Sequence, residues 1–294
     1  MLFAEQSRGQ SLLQAVEDYR SLVSSQGSYA DYGFHAIITD PSETVLQREL
    51  PIIASQGIMS MKLFLTYKHM RISDDQFLRA LLRARELGMV ALVHAENGDL
   101  VDFFTEQLEA RGLTDPKYKA IAHPSAAEAE ATNRAVTFAN IIETPLLIVH
   151  VSVPESAKVI RKAQGNLQPI FAETCPQYLL LGKKNLDQEH FCGAKFICSP
   201  PLRSEEKDVE AIWTGLINGT FTIFSSDHCP YRFDDPSGKQ LGLTRADNGN
   251  PKGMYVNHLE FLRTAESITD MYLQVYQDTK WPSRRRDANP ASIF

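Results

Sequence analysis

The sequence predicts an α/β protein, an incomplete TIM-like (β/α)8 barrel whose strand ends converge on one site. Three observations carry this reading. Short β-branched runs alternate regularly with amphipathic segments, the pattern of βα units around a parallel sheet. Six strand candidates end before residue 230, two short of the eight that close such a barrel. Four of them end in a side chain that can hold or bridge a metal: Lys62 in SMKLFLTY, His94 in MVALVHAE, His150 in PLLIVHVS and Asp227 in FTIFSSDHCP. One histidine at the end of a buried strand is usually hydrogen-bonded core, but four such types at the same point of four units favour a shared site at the barrel mouth.

Each element has its own signal. Residues 11–24 read as a helix, YGFHAIIT (32–39) as a strand, and 42–56 as a helix ended by Gly57. SMKLFLTY is the next strand. Ser73 caps a helix that places Phe77, Leu78, Leu81 and Leu82 on one face, and Gly88 stops it before MVALVHAE. A long insertion reaches Ser125, which pairs with Glu128 in a predicted capping box for a helix running to about Glu143. PLLIVHVS follows, then a helix over 154–164, the strand PIFAETC, a loop with SPPL, a helix over 205–217 and the strand FTIFSSD. After Met254 the text has one plausible short helix and no strand ending in a reactive residue. The organisation expected is a partial barrel domain over 1–254 and an accessory tail over 255–294.

Composition narrows the partners. With 294 residues, 43% of them hydrophobic, the chain can bury a large core. A net charge of −6 argues against nucleic acid, and the one basic cluster, Arg284-Arg285-Arg286, reads as a solvated tail. Cys175, Cys192, Cys198 and Cys229 show no C-x-x-C spacing, which points to reduced thiols in a cytoplasmic compartment. The N-terminal stretch has no signal-like apolar region, and no run approaches the roughly eighteen apolar residues of a membrane span. No membrane partner is expected.

The strand-end residues suit metal chemistry for definite reasons. Neutral imidazole nitrogens bind zinc-like divalent ions, and a carboxylate adds charge to the coordination sphere. An ammonium has no lone pair, so Lys62 serves only if burial lowers its pKa enough for the amine to take up CO₂ as a bridging carbamate. Its place inside an apolar run, where an unpaired charge is costly, favours that role over a snorkelling lysine. Other candidates read more quietly. His35 reads as a core histidine, His228 as packing or support for the ligands, and Cys229 as a small buried hydrophobe. Glu96 either orients ligands or is simply solvated.

GQSLLQAVEDYR, SMKLFLTYK, VHAENGDL, HPSAAEAEATNRA, PLLIVHVS, AETCPQYLLL, CSPPLR and SSDHCPYRFDDPSGKQLG occur in one order over about residues 8–254. Together they resemble the dihydropyrimidinase and hydantoinase branch of the cyclic amidohydrolases. The resemblance implies a metal-dependent hydrolase barrel with two divalent ions, most often zinc, bridged by N6-carboxylated Lys62. His94 and His150 then bind one metal, while Asp227 binds the other and shuttles protons. Tyr67 matches a tyrosine that hydrogen-bonds the substrate carbonyl and developing oxyanion, and Ser199 a residue whose backbone holds the ring amide. The implied reaction is ring opening of 5,6-dihydropyrimidines by a metal-bound hydroxide, dihydrouracil giving N-carbamoyl-β-alanine, in a homotetramer. Hydantoinase or allantoinase-type substrates are the alternatives within the class.

Two features depart from the family pattern. No His-x-His pair, which supplies the family's first metal ligands, occurs in the 294 residues, and no Pro-Asn-Gly loop follows KQLG. The first metal keeps only Asp227 and the carbamate, against the three protein ligands usual for a catalytic zinc. A catalytically inert relative, similar to the collapsin response mediator proteins, is the alternative of different class.

Overall fold

The computed structural model describes residues 2–28, 31–204 and 207–227. Asp227 is the last described residue, so the boundary at 254, the tail over 255–294, the arginine cluster, His228 and Cys229 all lie outside the described residues.

The chain opens on β1 (Leu2–Glu5), followed by α1 (Leu12–Gln26), β2 (Phe34–Ile37) and α2 (Leu50–Ser55), which a wider turn over Val45–Glu49 precedes. Next come β3 (Ser60–Phe64), α3 (Asp74–Leu87), β4 (Val90–His94), α4 (Gly98–Glu109), α5 (Lys119–Ala122) and α6 (Ser125–Ile142). The remainder is β5 (Leu146–Ile148), α7 (Pro154–Gly165), β6 (Ile170–Thr174), α8 (Gln177–Leu180), α9 (Asp208–Ile217) and β7 (Ile223–Phe224). All seven strands are parallel and lie in sequence order, each hydrogen-bonded to the next. Among the described residues this is a barrel sheet of seven strands, where the alternation of segments predicted six. The additional strand is β1, four residues that the sequence pattern did not separate from the N-terminus.

Register determines which side chains face inward. Lys62 pairs with Leu92 and Phe64 with His94, so these four share one face of the sheet. Propagated through the ladders, that face carries Phe3, Glu5, His35, Ile37, Leu147, Val149, Phe171, Glu173 and Ile223. The other face holds Ala4, Ala36, Met61, Leu63, Ala91, Val93, Leu146, Ile148 and Ala172, all buried beneath the helices. In β3, β4 and β5, where most inward-facing residues are buried as well, burial of both faces explains why the strands read as near-continuous apolar runs. Leu92, Leu147 and Val149 form a core cluster on the inward face, with Val90 packed against it.

The helix ends follow the sequence closely in α3, where Ser73 and Gln76 form a reciprocal capping box and Gly88 takes the left-handed conformation. The box predicted for α6 does not form. Pro124 occupies the cap position, Ser125 is already helical, and no side chain caps the helix. Glu128 is drawn instead into the interior, where Ser152 and Arg203 bind its carboxylate. A buried cation outweighs a surface cap that contributes about 1 kcal/mol. The insertion before Ser125 proves largely helical, forming α4 and α5. Among the described residues no helix is long and apolar enough to cross a membrane, and Cys175, Cys192 and Cys198 form no disulfide with one another.

Candidate active site

The C-terminal ends of β3, β4 and β5 bring Lys62, His94 and His150 together. The rings of His94 and His150 meet edge to face at 4.4 Å between centroids. Phe64 stacks on His94 at 5.5 Å, and Tyr67 packs edge-on at 5.3 Å. Lys62 Nζ stands over the rings of Phe3, at 5.7 Å, and Phe64, at 5.3 Å. All three strand-end residues are at most 4% exposed.

Simple alternation along β5 does not account for His150. Leu147 and Val149 face inward, which would send residue 150 outward. The backbone at His150 turns to φ 41°, and this breaks the alternation and lets the ring meet His94. Tyr67 (φ 65°) and Asp227 (φ 45°) are also held in the left-handed region. Non-glycine residues there cost of order 1 kcal/mol or more and cluster where a site is organised. Three of the predicted site residues share that property.

Burial sets the electrostatics. It lowers the Lys62 ammonium from 10.5 to about 8, against the opposing pull of the Asp227 and Glu173 carboxylates. Burial likewise lowers His94, which Glu96 partly offsets, and lowers His150 well below its usual value, helped by the charges of His94 and Lys62. Asp227 therefore shares the electrostatic field of Lys62 and His94 and is only partly enclosed. Ser199 stands in a separate loop. Beside it the Pro200 carbonyl accepts from the Tyr178 hydroxyl at 2.7 Å and the Cys198 thiol at 3.2 Å.

The donor set suits a divalent metal. His150 Nδ1 is buried with no hydrogen-bond partner, a costly state for a polar nitrogen that a metal ion would relieve. Both imidazoles are held neutral and so carry a free lone pair. Yet among the described residues no three His, Cys, Asp or Glu side chains assemble as a metal cage by themselves.

Several residues were missed or misread in the sequence. Glu96 is fully buried and bonds His94 Nε2 at 2.7 Å, which settles its role away from solvent. Burial opposes its ionisation, but His123 and His94 hold the carboxyl well below the ordinary range. His35 is half-buried, faces the barrel interior beside Phe3 and bonds Ser60 at 2.6 Å, so it is no core histidine. Glu173 at the end of β6 was overlooked, although a carboxylate at a strand end meets the same criterion that selected Asp227. His123 and Arg203 gave no local signal, because Glu96 and Glu128 lie 27 and 75 residues away from them in the chain.

Seven parallel strands with reactive side chains gathered at their C-terminal ends define a βα-barrel protein. No family model matches the chain. Curated relatives do. The D-hydantoinase of Streptomyces coelicolor is 41% identical over 254 residues, taking in 85% of this chain and 53% of the relative. That of Ralstonia pickettii is 40% identical over 251 residues, 85% of this chain and 54% of the relative. Among solved structures, the dihydropyrimidinase from Brevibacillus agri matches with a TM-score of 0.79 at 36% identity, over 85% of this chain and 55% of that one. A D-hydantoinase structure matches at 0.80 and 38% identity, over 86% and 55%. The chain belongs to the dihydropyrimidinase and hydantoinase branch of the cyclic amidohydrolases. It spans about half the length of the curated relatives it matches.

Proposed function

We propose that this chain carries the metal-holding end of a hydrolase that opens the cyclic amide of 5,6-dihydropyrimidines, converting dihydrouracil to N-carbamoyl-β-alanine. The observation that carries the proposal is the buried Lys62, its ammonium lowered to about 8, beside the paired rings of His94 and His150. A neutral amine there adds to CO₂ with loss of one proton, and the resulting carbamate is the anionic bridge that two cations need. Lys62, His94, His150 and Asp227 would hold the ions, zinc being the metal that imidazole and carboxylate donors suit. Bound divalent metals lower the pKa of water toward neutrality and polarise a carbonyl.

The chain's own groups supply the rest. Asp227 accepts the proton of the attacking water and returns it to the leaving ring nitrogen. The Tyr67 hydroxyl donates to the carbonyl oxygen as negative charge builds there. The Ser199 backbone holds the ring amide. A cytoplasmic homotetramer is the setting that the family resemblance implies.

Hydantoins are the second substrate reading, favoured by the names of the curated relatives. Both rings contain the same N–C(=O)–N–C(=O) unit. Metal analysis of the purified chain, with loss of ultraviolet absorbance on dihydrouracil and on hydantoin, tests the proposal. Bound metal with turnover is expected. A folded chain that takes up no metal and opens neither ring would overturn it in favour of the inert reading.

A further inference from the structure

A chain of buried polar side chains runs from His94, at the end of β4, to Lys119 in α5. His94 Nε2 lies 2.7 Å from Glu96 Oε2, and Glu96 Oε1 lies 2.9 Å from His123 Nδ1. His123 Nε2 in turn lies 2.9 Å from Lys119 Nζ. Glu96, His123 and Lys119 are at most 1% exposed. Along this row each group faces its neighbour directly, and the hydrogen-bond chemistry of the pairs bears on which nitrogen carries a proton.

An ammonium has three donors and no acceptor, so Lys119 requires His123 Nε2 to be the bare, accepting nitrogen. The hydrogen of His123 is then on Nδ1 and points at Glu96. A carboxylate only accepts, so Glu96 takes that hydrogen on one oxygen and demands another from His94 Nε2 on the other. His94 is left with its lone pair on Nδ1. We propose that Lys119, His123 and Glu96 are positioning residues that select the Nδ1 donor tautomer of His94 for the metal. This rests on the reading of His94 as a metal ligand. It extends that reading, because the selection originates in Lys119, twenty-five residues further along the chain.

The same logic yields a test in which shape is preserved and hydrogen polarity is not. In Glu96→Gln the amide accepts on one side and donates on the other. Lys119 keeps the hydrogen of His123 on Nδ1, so the amide oxygen must face His123 and the NH₂ must face His94. That forces the hydrogen of His94 onto Nδ1 and removes the lone pair. Zinc affinity of the full chain, measured by calorimetric titration, is expected to fall about 10- to 100-fold, the range for loss of a group that orients a ligand. Adding Lys119→Met frees His123 to carry its hydrogen on Nε2, so the amide can turn over and affinity recovers toward the wild-type value. A merely structural role predicts the opposite, the double variant weaker than the single.

A second measurement needs no variant and no metal. Nitrogen-15 spectra of the imidazoles in the metal-free wild-type chain should show hydrogen on Nε2 of His94 and on Nδ1 of His123. Hydrogen on Nδ1 of His94, or a double variant that does not recover, overturns the inference. The two readings fail separately. A His94→Ala chain that binds zinc as well as the wild type sinks the metal role, whereas the spectra report the tautomers whether or not zinc binds.

Discussion

The guanidinium of Arg203 donates to Glu128 at 3.3 Å between Nη2 and Oε2, an ion pair in which the side chains are 5% and 3% exposed. Arg203 also reaches Ser152 Oγ at 3.1 Å and the His123 carbonyl at 2.5 Å. One side chain thus ties the loop after β6 to α6, to the residues beyond β5, and to the backbone that carries His123. Burial pushes the Glu128 carboxyl up, and the Arg203 charge opposes this. Arg203→Leu strands that carboxylate and should cost about 3–5 kcal/mol in urea denaturation. Arg203→Leu with Glu128→Leu should recover most of the loss. A single variant within about 1 kcal/mol of wild type would contradict this account.

Lys62→Ala removes the amine that would become the carbamate bridge. Metal content, measured on the purified chain by mass spectrometry of the metals, should drop together with activity. Retained metal in the folded variant would count against the carbamate role.

Tyr67 packs against His94 from a backbone held at φ 65°, so its hydroxyl is presented by a fixed ring. Removing one donor to a developing oxyanion usually costs about 100-fold or more in kcat. Tyr67→Phe should show a loss of that order with metal content unchanged. A kcat within about threefold of wild type would leave the tyrosine without the proposed role.

His35 offers a pH signature. Burial, with the Lys62 charge adding to it, lowers its imidazole from 6.5 to about 4. The unfolded chain then takes up a proton that the folded chain refuses. Its contribution to stability is present above pH 6.5 and is lost as pH falls from there toward about 4. A proton NMR titration of the His35 ring should show its midpoint near 4, and an ordinary imidazole midpoint would refute the enclosed position.

Gly98 begins α4 where the chain passes β3. A Cβ there would stand 3.0 Å from the Leu65 carbonyl oxygen and 3.1 Å from Thr66 Cα, both of them backbone. Gly98→Ala should therefore destabilise the fold by about 1–3 kcal/mol. Unchanged thermal unfolding would show that the two segments separate easily.

Much of the architecture was legible because it rests on local periodicity. SMKLFLTY, MVALVHAE and PLLIVHVS became β3, β4 and β5, and Ser73 and Gly88 bound α3 through interactions within a few residues. β1 escaped notice because its apolar run, Leu2-Phe3-Ala4, breaks off at Glu5 and Gln6. Glu128 was misread because S-x-x-E resembles a cap, while the partner that claims it lies 75 residues away. Glu173 could have been found by its strand-end position alone.

By itself, the sequence determined the alternation of strands and helices and the chemical types at the strand ends, because each depends on neighbours within one turn or one strand. Only the tertiary structure decided how those types meet. His150 faces His94 because a turn at φ 41° overrides strand alternation, and Lys62 is rendered a weak base by a burial that no stretch of eight residues can impose. Lys119, His123, Glu96 and His94 meet in one buried row that joins the end of β4 to the end of α5. Desolvation and long-range pairing are properties of the packed interior, and they exist only once the chain has closed around these groups.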